Sequence, residues 1–236
     1  ILRCLEAFGL HWDGEPMYQS QPQRQHAYQH ALDQLKQQQR VYACACSRAQ
    51  FTRDANYLCT CAQQTVTSAQ VAQRVISPNQ VVYTDDLILP AQSQNLAREV
   101  GDFVIQRKDQ LFAYQLAVVV DDAEQGISHV IRGSDLYDQT PRQVWLQQCL
   151  GYPQPTYAHI PIITNGQGQK LSKQNLAQAL ELNQTSALLS EALERLGQAT
   201  PCDFRQASVS QQLEWAIQHW DIHAIPAQMQ HPDAFV

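Results

Sequence analysis

Four of the chain's seven cysteines lie between positions 44 and 61, as Cys44-Ala45-Cys46 and Cys59-Thr60-Cys61. Zinc takes four ligands in a tetrahedron, most often cysteine or histidine. One Cys-x-Cys pair can set two sulfurs on an ion, and a second pair returning after a loop can close the shell. Tyr57 sits just ahead of Cys59, so the fourth place beside Cys44, Cys46 and Cys61 is open to either Tyr57 or Cys59. The competing reading is a set of reduced, partly buried thiols. The spacing, which is not the common Cys-x-x-Cys, leaves that reading standing. A disulfide framework is disfavoured, because the cysteine count is odd and no apolar export segment opens the chain.

A second group lies at 157–175, YAHIPIITNGQGQKLSKQN. An apolar run at 160–163 leads into Asn165-Gly166-Gln167-Gly168 and then Lys170-Leu171-Ser172-Lys173. Glycines let backbone approach a ligand closely, and lysines supply mobile point charges. A strand feeding such a loop can clamp phosphate; the alternative is a solvated surface loop. Tyr114 and Arg132 complete the list. An arginine at a strand end suits a carboxylate, because its planar fork makes paired bonds. A tyrosine hydroxyl there adds orientation. Against this, Tyr114 can be a core tyrosine and Arg132 a surface ion-pair partner. Asp121-Asp122 reads as the start of a turn toward Gly126 ahead of a pair of catalytic carboxylates.

The elements that must hold these residues follow from periodicity and turn residues. Helices are expected at 1–9, ending at Gly9, and at 22–39, with Tyr28, Ala31, Leu32 and Leu35 on one side. A short strand at 41–43 leads into the cysteines. Segments 66–76 and 91–99 carry a weak helical signal. Two strand-like runs, 102–107 and 111–121, flank a hairpin-like turn at Lys108-Asp109-Gln110. A strand at 127–131 ends at Arg132, and a helix at 137–150 starts with Thr140 as N-cap before Pro141 and stops at Gly151. A strand follows at 159–164, and helices at 184–196 and 208–219. Strand, helix, strand in that order implies a parallel α/β sheet with a right-handed crossover.

The 236 residues are 44% hydrophobic and 16% charged, enough apolar content for a real core. No apolar run approaches the ~20 residues of a membrane span, so no membrane is expected and the expected location is cytoplasmic. The net charge of −6 excludes a dispersed basic coat for nucleic acid but not a local basic patch. Arg40, Arg48, Arg53 and Arg74 near the cysteines are candidates for one, or plain surface charges.

The runs FAYQLAVVVDDAEQGISHVIRGSDL (112–136) and PRQVWLQQCLGYPQPTYAHIPIITNGQGQKLSKQN (141–175) resemble the catalytic core of class I glutamyl-tRNA synthetases. Lys170-Leu171-Ser172-Lys173 is similar to that family's KMSKS loop. The set Cys44, Cys46, Tyr57 and Cys61 resembles the zinc site of the family's truncated branch, the glutamyl-queuosine tRNA(Asp) synthetases. The end at Val236 fits that branch, since a full-length member continues into a large anticodon-binding domain.

The resemblance implies an α/β, Rossmann-like class I aminoacyl-tRNA synthetase catalytic domain, with a zinc-binding insertion, a C-terminal helical segment and no anticodon-binding domain. Its expected parts are the remainder of the N-terminal Rossmann half at 1–40, the insertion at 41–100, the second Rossmann half with the KLSK loop at 101–175, and a helical subdomain at 176–236. It implies tRNA-independent activation of L-glutamate by ATP with Mg²⁺, and transfer to queuosine at the wobble position of tRNA(Asp), through that tRNA's anticodon stem-loop, by a monomer. By motif, Tyr114 and Arg132 would bind glutamate; Lys170, Ser172 and Lys173 would bind ATP, the two lysines acting catalytically; Cys44, Cys46, Tyr57 and Cys61 would hold one zinc ion.

One departure stands at the front. No HIGH-type motif occurs in residues 1–30, and His11 in GLHWDG follows no strand. Residues 1–8 read as the middle of an amphipathic helix, and the motif is expected upstream of Ile1. The alternatives are a fragment of a discriminating glutamyl-tRNA synthetase, a non-catalytic zinc-stabilised binding module, or an unrelated α/β nucleotidyltransferase.

Overall fold

A parallel pair of strands carries the polar residues, and an antiparallel sheet carries the cysteines. The computed structural model describes residues 1–47, 50, 59–171 and 179–232. Helix α1 (Leu2–Ala7) ends before Gly9, whose φ of 66° is left-handed. Helix α2 (Pro22–Gln37) buries Tyr28, Ala31, Leu32 and Leu35, the stripe its 3.6-residue period predicts. Strand β1 (Val41–Cys44) pairs antiparallel with β2 (Ala72–Val75), which pairs antiparallel with β5 (Phe103–Gln106). Strands β3 (Val81–Thr84) and β4 (Gln92–Asn95) form a separate antiparallel pair, followed by the short helix α3 (Leu96–Glu99).

Segment 66–76 is strand only at Ala72–Val75 and holds no helix, whereas the helical expectation for 91–99 is met at Leu96–Glu99 and replaced by strand at Gln92–Asn95. Ala72–Val75 is the middle strand of three, so its backbone groups are paired on both sides, and this long-range pairing overrides a weak local signal.

The largest correction concerns 111–121. The turn at Lys108-Asp109-Gln110 is present: the Arg107 amide bonds the Leu111 carbonyl, and Gln110 has φ of 67°. The return strand shrinks to one bridge, Gln106 to Phe112. Helix α4 (Tyr114–Glu124) begins directly after it. Leu116, Ala117, Val119 and Val120 then fall on one buried stripe. The helix-propensity deficit of valine is a few tenths of a kcal/mol each, roughly, against about 1.5–3 kcal/mol for burying each large side chain. Burial wins. Asp121-Asp122 accordingly lies in this helix rather than in a turn.

Strand β6 (His129–Gly133) pairs in parallel with β7 (Thr156–Ile160). Between them run a 3₁₀ stretch (Ser134–Gln139) and helix α5 (Thr140–Leu150), giving the expected strand–helix–strand unit. The N-cap is Gln139, one residue earlier than expected, and Thr140 begins the helix with its hydroxyl turned elsewhere. Gly151 closes α5 with φ of 70°. The expected strand at 159–164 is split at Pro161. Proline has no N–H to donate, and beyond it the chain changes partner: β8 (Ile162–Thr164) pairs in parallel with β9 (Gln230–Pro232). Helices α6 (Thr185–Arg195) and α7 (Val209–His219) match expectation.

The main core joins α2, α4 and α5 to the strands through Leu32, Ile105, Leu116, Val144 and Leu146. A smaller core holds Leu189, Leu193, Phe204 and Ala216.

Candidate active site and metal centre

Arg132 lies within strand β6, not after it, and its Cα is in register with that of His159 on β7. Parallel neighbours in register place side chains on the same face. The Arg132 Nε–H donates to His159 Nε2 at 3.0 Å. Its two terminal nitrogens donate to Gln143 Oε1 at 2.7 Å and Thr140 Oγ1 at 2.8 Å, both on α5. The guanidinium also stands 5.2 Å from the ring centre of Tyr157. This is a half-buried arginine fixed on three sides. Each terminal nitrogen keeps one further N–H for a planar anion.

Behind it, His159 is fully buried and shares a hydrogen bond of 2.5 Å between its Nδ1 and Asp86 Oδ2. With Nε2 accepting from Arg132, Nδ1 is the protonated nitrogen and donates to the carboxylate. Asp86 Oδ1 also accepts the amides of Ile88, Leu89 and His159 at 3.0, 2.8 and 3.2 Å. Burial pushes the Asp86 carboxyl up, but the bond from His159 and these amides outweigh it, holding it below the ordinary carboxylate value. Neither Asp86 nor His159 stood out in the sequence. The available signal was a lone histidine inside an otherwise apolar strand.

Tyr114 opens α4 and is half-exposed. Burial pushes the Tyr157 phenol up, with Arg132 offsetting part of the rise and Tyr114 adding to it. Gln115 ties the helix to the arginine, accepting from Gln143 Nε2 at 2.9 Å. Of the two acidic residues, Asp121 is structural: it accepts from buried Arg24 at 2.6 Å and from the Tyr28 hydroxyl at 2.8 Å. The Asp122 carboxyl is raised by burial and by the Asp121 charge, with Arg132 offsetting part.

The lysine loop leaves β8 through a tight turn. Asn165 Oδ1 accepts the amides of Gln167 and Gln169, and Gly168 takes φ of 73°. Lys170 bridges back to Thr164 and pairs with Asp135 at 2.7 Å. A Cβ at Gly133 would lie 2.5 Å from Asp135 Oδ1, so a larger residue there would displace the Asp135 carboxylate that holds Lys170. Ser172 and Lys173 lie outside the described residues, as do Tyr57, Arg48 and Arg53. Of the other arginines, Arg40 stacks over Trp145 and Arg74 bonds the Asp102 carbonyl.

At the end of β1, the sulfur atoms of Cys44, Cys46, Cys59 and Cys61 all lie within 4.8 Å of one another. A tetrahedron of Zn–S bonds of ~2.3 Å puts its sulfurs about 3.8 Å apart. The measured separations are 3.6 Å for Cys44–Cys59, 3.7 Å for Cys46–Cys59 and 3.5 Å for Cys46–Cys61. None of the four forms a disulfide, and these distances are far beyond a disulfide bond. Burial pushes the Cys44 thiol up and Cys59 to about 12, so a metal bound here displaces protons. The donor set fits a metal ion.

The family model described as "tRNA synthetases class I (E and Q), catalytic domain" matches residues 1–214. The chain belongs to this family. Within it, a protein of Thiobacillus denitrificans named Glutamyl-Q tRNA(Asp) synthetase is 50% identical, the match covering 98% of this chain and 78% of that protein. A protein of the same name from Synechococcus is 46% identical, over 93% of this chain and 76% of that one. The crystal structure of a glutamate tRNA ligase from Elizabethkingia meningosepticum superposes with a TM-score of 0.75 at 19% identity, over 98% of this chain and 55% of that one. The fold is thus that of the class I synthetase catalytic domain, and the chain spans just over half the length of that ligase. Membership of the class I (E and Q) synthetases makes the chain a ligase-type, amino-acid-activating enzyme. No helix among the described residues is long and apolar enough to cross a membrane.

Proposed function

We propose that the chain activates glutamate with ATP to glutamyl-adenylate without tRNA, and then transfers the glutamyl group to queuosine at the wobble position of tRNA(Asp). The name shared by relatives up to 50% identical supports the reaction class. The observation that carries the substrate is Arg132, locked by His159, Gln143 and Thr140 with N–H groups left to grip a carboxylate. A pre-set fork loses little entropy on binding. Tyr114, at the start of α4, orients the same ligand.

In the first step an oxygen of the glutamate α-carboxylate attacks the α-phosphorus of ATP in line, and pyrophosphate leaves. In the second, the queuosine acceptor attacks the acyl carbon and AMP leaves. The chain's contribution is positioning and neutralisation of growing charge. Lys170, Ser172 and Lys173 serve the phosphates; Lys170 exchanges Asp135 for phosphate oxygen when ATP arrives. Mg²⁺ accompanying the nucleotide screens phosphate charge. The metal of the cysteine cluster is zinc, a structural ion that ties the insertion at 41–100 to its sheet. Residues 1–40 and 101–175 serve as the two Rossmann halves and 176–236 as the C-terminal subdomain. The enzyme works as a monomer in the cytoplasm, on the anticodon stem-loop of its tRNA.

The test is glutamate-dependent ATP–pyrophosphate exchange by the full-length protein, followed by charging of tRNA(Asp) with labelled glutamate. Exchange without tRNA, and labelling only of queuosine-bearing tRNA(Asp), are expected. Exchange that requires tRNA would replace this reading with that of a discriminating glutamyl-tRNA synthetase.

A further inference from the structure

We infer that Asp86 and His159 are positioning residues for the substrate carboxylate: Asp86 fixes the tautomer of the His159 ring, and the ring's bare Nε2 closes the side edge of the Arg132 guanidinium, so that only the terminal nitrogens are offered to a ligand. The inference rests on the glutamate reading of Arg132 above and names what sets the aim of that arginine.

A guanidinium can meet a carboxylate along its side edge, through Nε and the nearer terminal nitrogen, or end on, through the two terminal nitrogens. Here the side edge is taken. Nε–H donates to His159 Nε2 at 3.0 Å, and Nη2–H to Thr140 Oγ1 at 2.8 Å. Those two acceptors stand 3.3 Å apart, so the Thr140 hydroxyl accepts from Arg132 and donates its own proton to Nε2. The other terminal nitrogen is steered by Gln143 Oε1 at 2.7 Å. The direction of that amide is set in turn, because its Nε2 donates to Gln115 Oε1 at 2.9 Å.

The side edge closes with only one protonation pattern of His159. A proton on Nε2 would face the Arg132 Nε–H at 3.0 Å, donor against donor. Asp86 prevents this by holding the ring proton at Nδ1, 2.5 Å from its Oδ2, while the amides of Ile88, Leu89 and His159 hold its Oδ1. The ring is fully buried, stacked on Tyr157 at 6.2 Å and met edge-on by Tyr137 at 5.4 Å between ring centres, so it cannot turn to exchange its nitrogens. A carboxylate buried among backbone amides thus reaches the ligand site through one imidazole.

Two substitutions separate positioning from structure. An asparagine amide falls near the place of Nδ1, so His159→Asn keeps a donor for Asp86 and removes the acceptor from Arg132. A glutamine amide falls near the place of Nε2, so His159→Gln keeps the acceptor and abandons Asp86. The readouts are glutamate-dependent ATP–pyrophosphate exchange by the full-length protein and unfolding in urea. His159→Asn is expected to raise KM for glutamate at least about tenfold, the loss of one hydrogen bond to a charged group, with KM for ATP unchanged. His159→Gln restores most of the affinity for glutamate although it unfolds at lower urea than His159→Asn. A purely structural histidine gives the reverse order, with glutamate affinity following stability, and that result overturns the inference, as does an unchanged KM in His159→Asn. Should His159→Asn fail to fold, heteronuclear NMR of the histidine rings in the wild-type protein decides: a protonated Nδ1 with bare Nε2 is expected, and a proton on Nε2 overturns the inference. Wild-type protein without glutamate-dependent exchange would instead overturn the glutamate reading, and the inference with it.

Discussion

Arg132 reaches its partners through packing. His159 lies opposite it on a parallel strand, Gln143 and Thr140 come from the helix between, and Asp86 arrives from a loop far earlier in the chain. The four cysteines instead meet at the tip of β1, sulfur against sulfur, from two short loops of one stretch of chain. In the first region the polar groups are satisfied by each other and by the core beneath them, so the geometry exists before any ligand arrives. In the second, ionised thiols would set acceptor against acceptor, and on the proposed reading a bound cation holds them. On that reading one site is positioned by the fold, and the other positions part of the fold. Measurements that separate the two regions test this directly.

The largest effect is expected on metal removal. Structural zinc in small peptides binds with about 10–16 kcal/mol, all of it coupled to folding. Here the coupling stops at the antiparallel sheet. After chelation, hydrogen exchange followed by mass spectrometry should accelerate strongly at 41–47 and 59–75, while the amides of 129–133 and 156–160 stay protected. Equal loss of protection in both would erase the distinction between the regions.

Breaking the other region should cost less and spread differently. His159→Ala leaves the Asp86 carboxylate buried without its closest partner, although three backbone amides remain. About 3 kcal/mol of stability should be lost, seen in urea unfolding, with zinc content unchanged. The acid limb follows from the depressed Asp86 value. A group whose folded value lies below its unfolded one stabilises the fold above the unfolded value, near 3.8, and loses that contribution as pH falls through the folded value. Wild-type stability should therefore fall below about pH 4 more steeply than that of Asp86→Asn.

Arg132→Ala comes next. Truncating one member of a charged hydrogen-bonded pair costs about 2–5 kcal/mol, so kcat/KM for glutamate in the exchange assay should drop about 30-fold or more. The KM for ATP should be nearly unchanged. A parallel loss for both substrates would mean that Arg132 supports the fold rather than the ligand.

The cysteine group could be read in the sequence because its members are close in the chain, and spacing is the information a metal site needs. The helix stripe of Tyr28, Ala31, Leu32 and Leu35, and the strand–helix–strand unit around α5, were legible for the same local reason. Asp86 and His159 were not, since their meaning lies in a contact between distant positions. The valine run of α4 misled in a different way. Its β-branched residues favour a strand, and only the core it packs against, with Leu116, Val119 and Val120 buried on one side, selects the helix. That choice places Tyr114 at a helix start rather than in mid-strand.

The smallest effect is also the one that most sharpens the comparison. Tyr114→Phe removes one hydroxyl from a half-exposed ring and leaves its packing unchanged. If the Arg132 site is pre-set by packing, the guanidinium does not need Tyr114 to hold it, and the hydroxyl contributes one hydrogen bond to the ligand alone. Such a bond is worth about 0.5–1.5 kcal/mol, or roughly a 2- to 13-fold rise in KM for glutamate. Stability and zinc content should not move. A loss as large as that of Arg132→Ala would mean instead that the ring orders the start of α4, and with it Gln115 and the Gln143 contact on which the guanidinium rests.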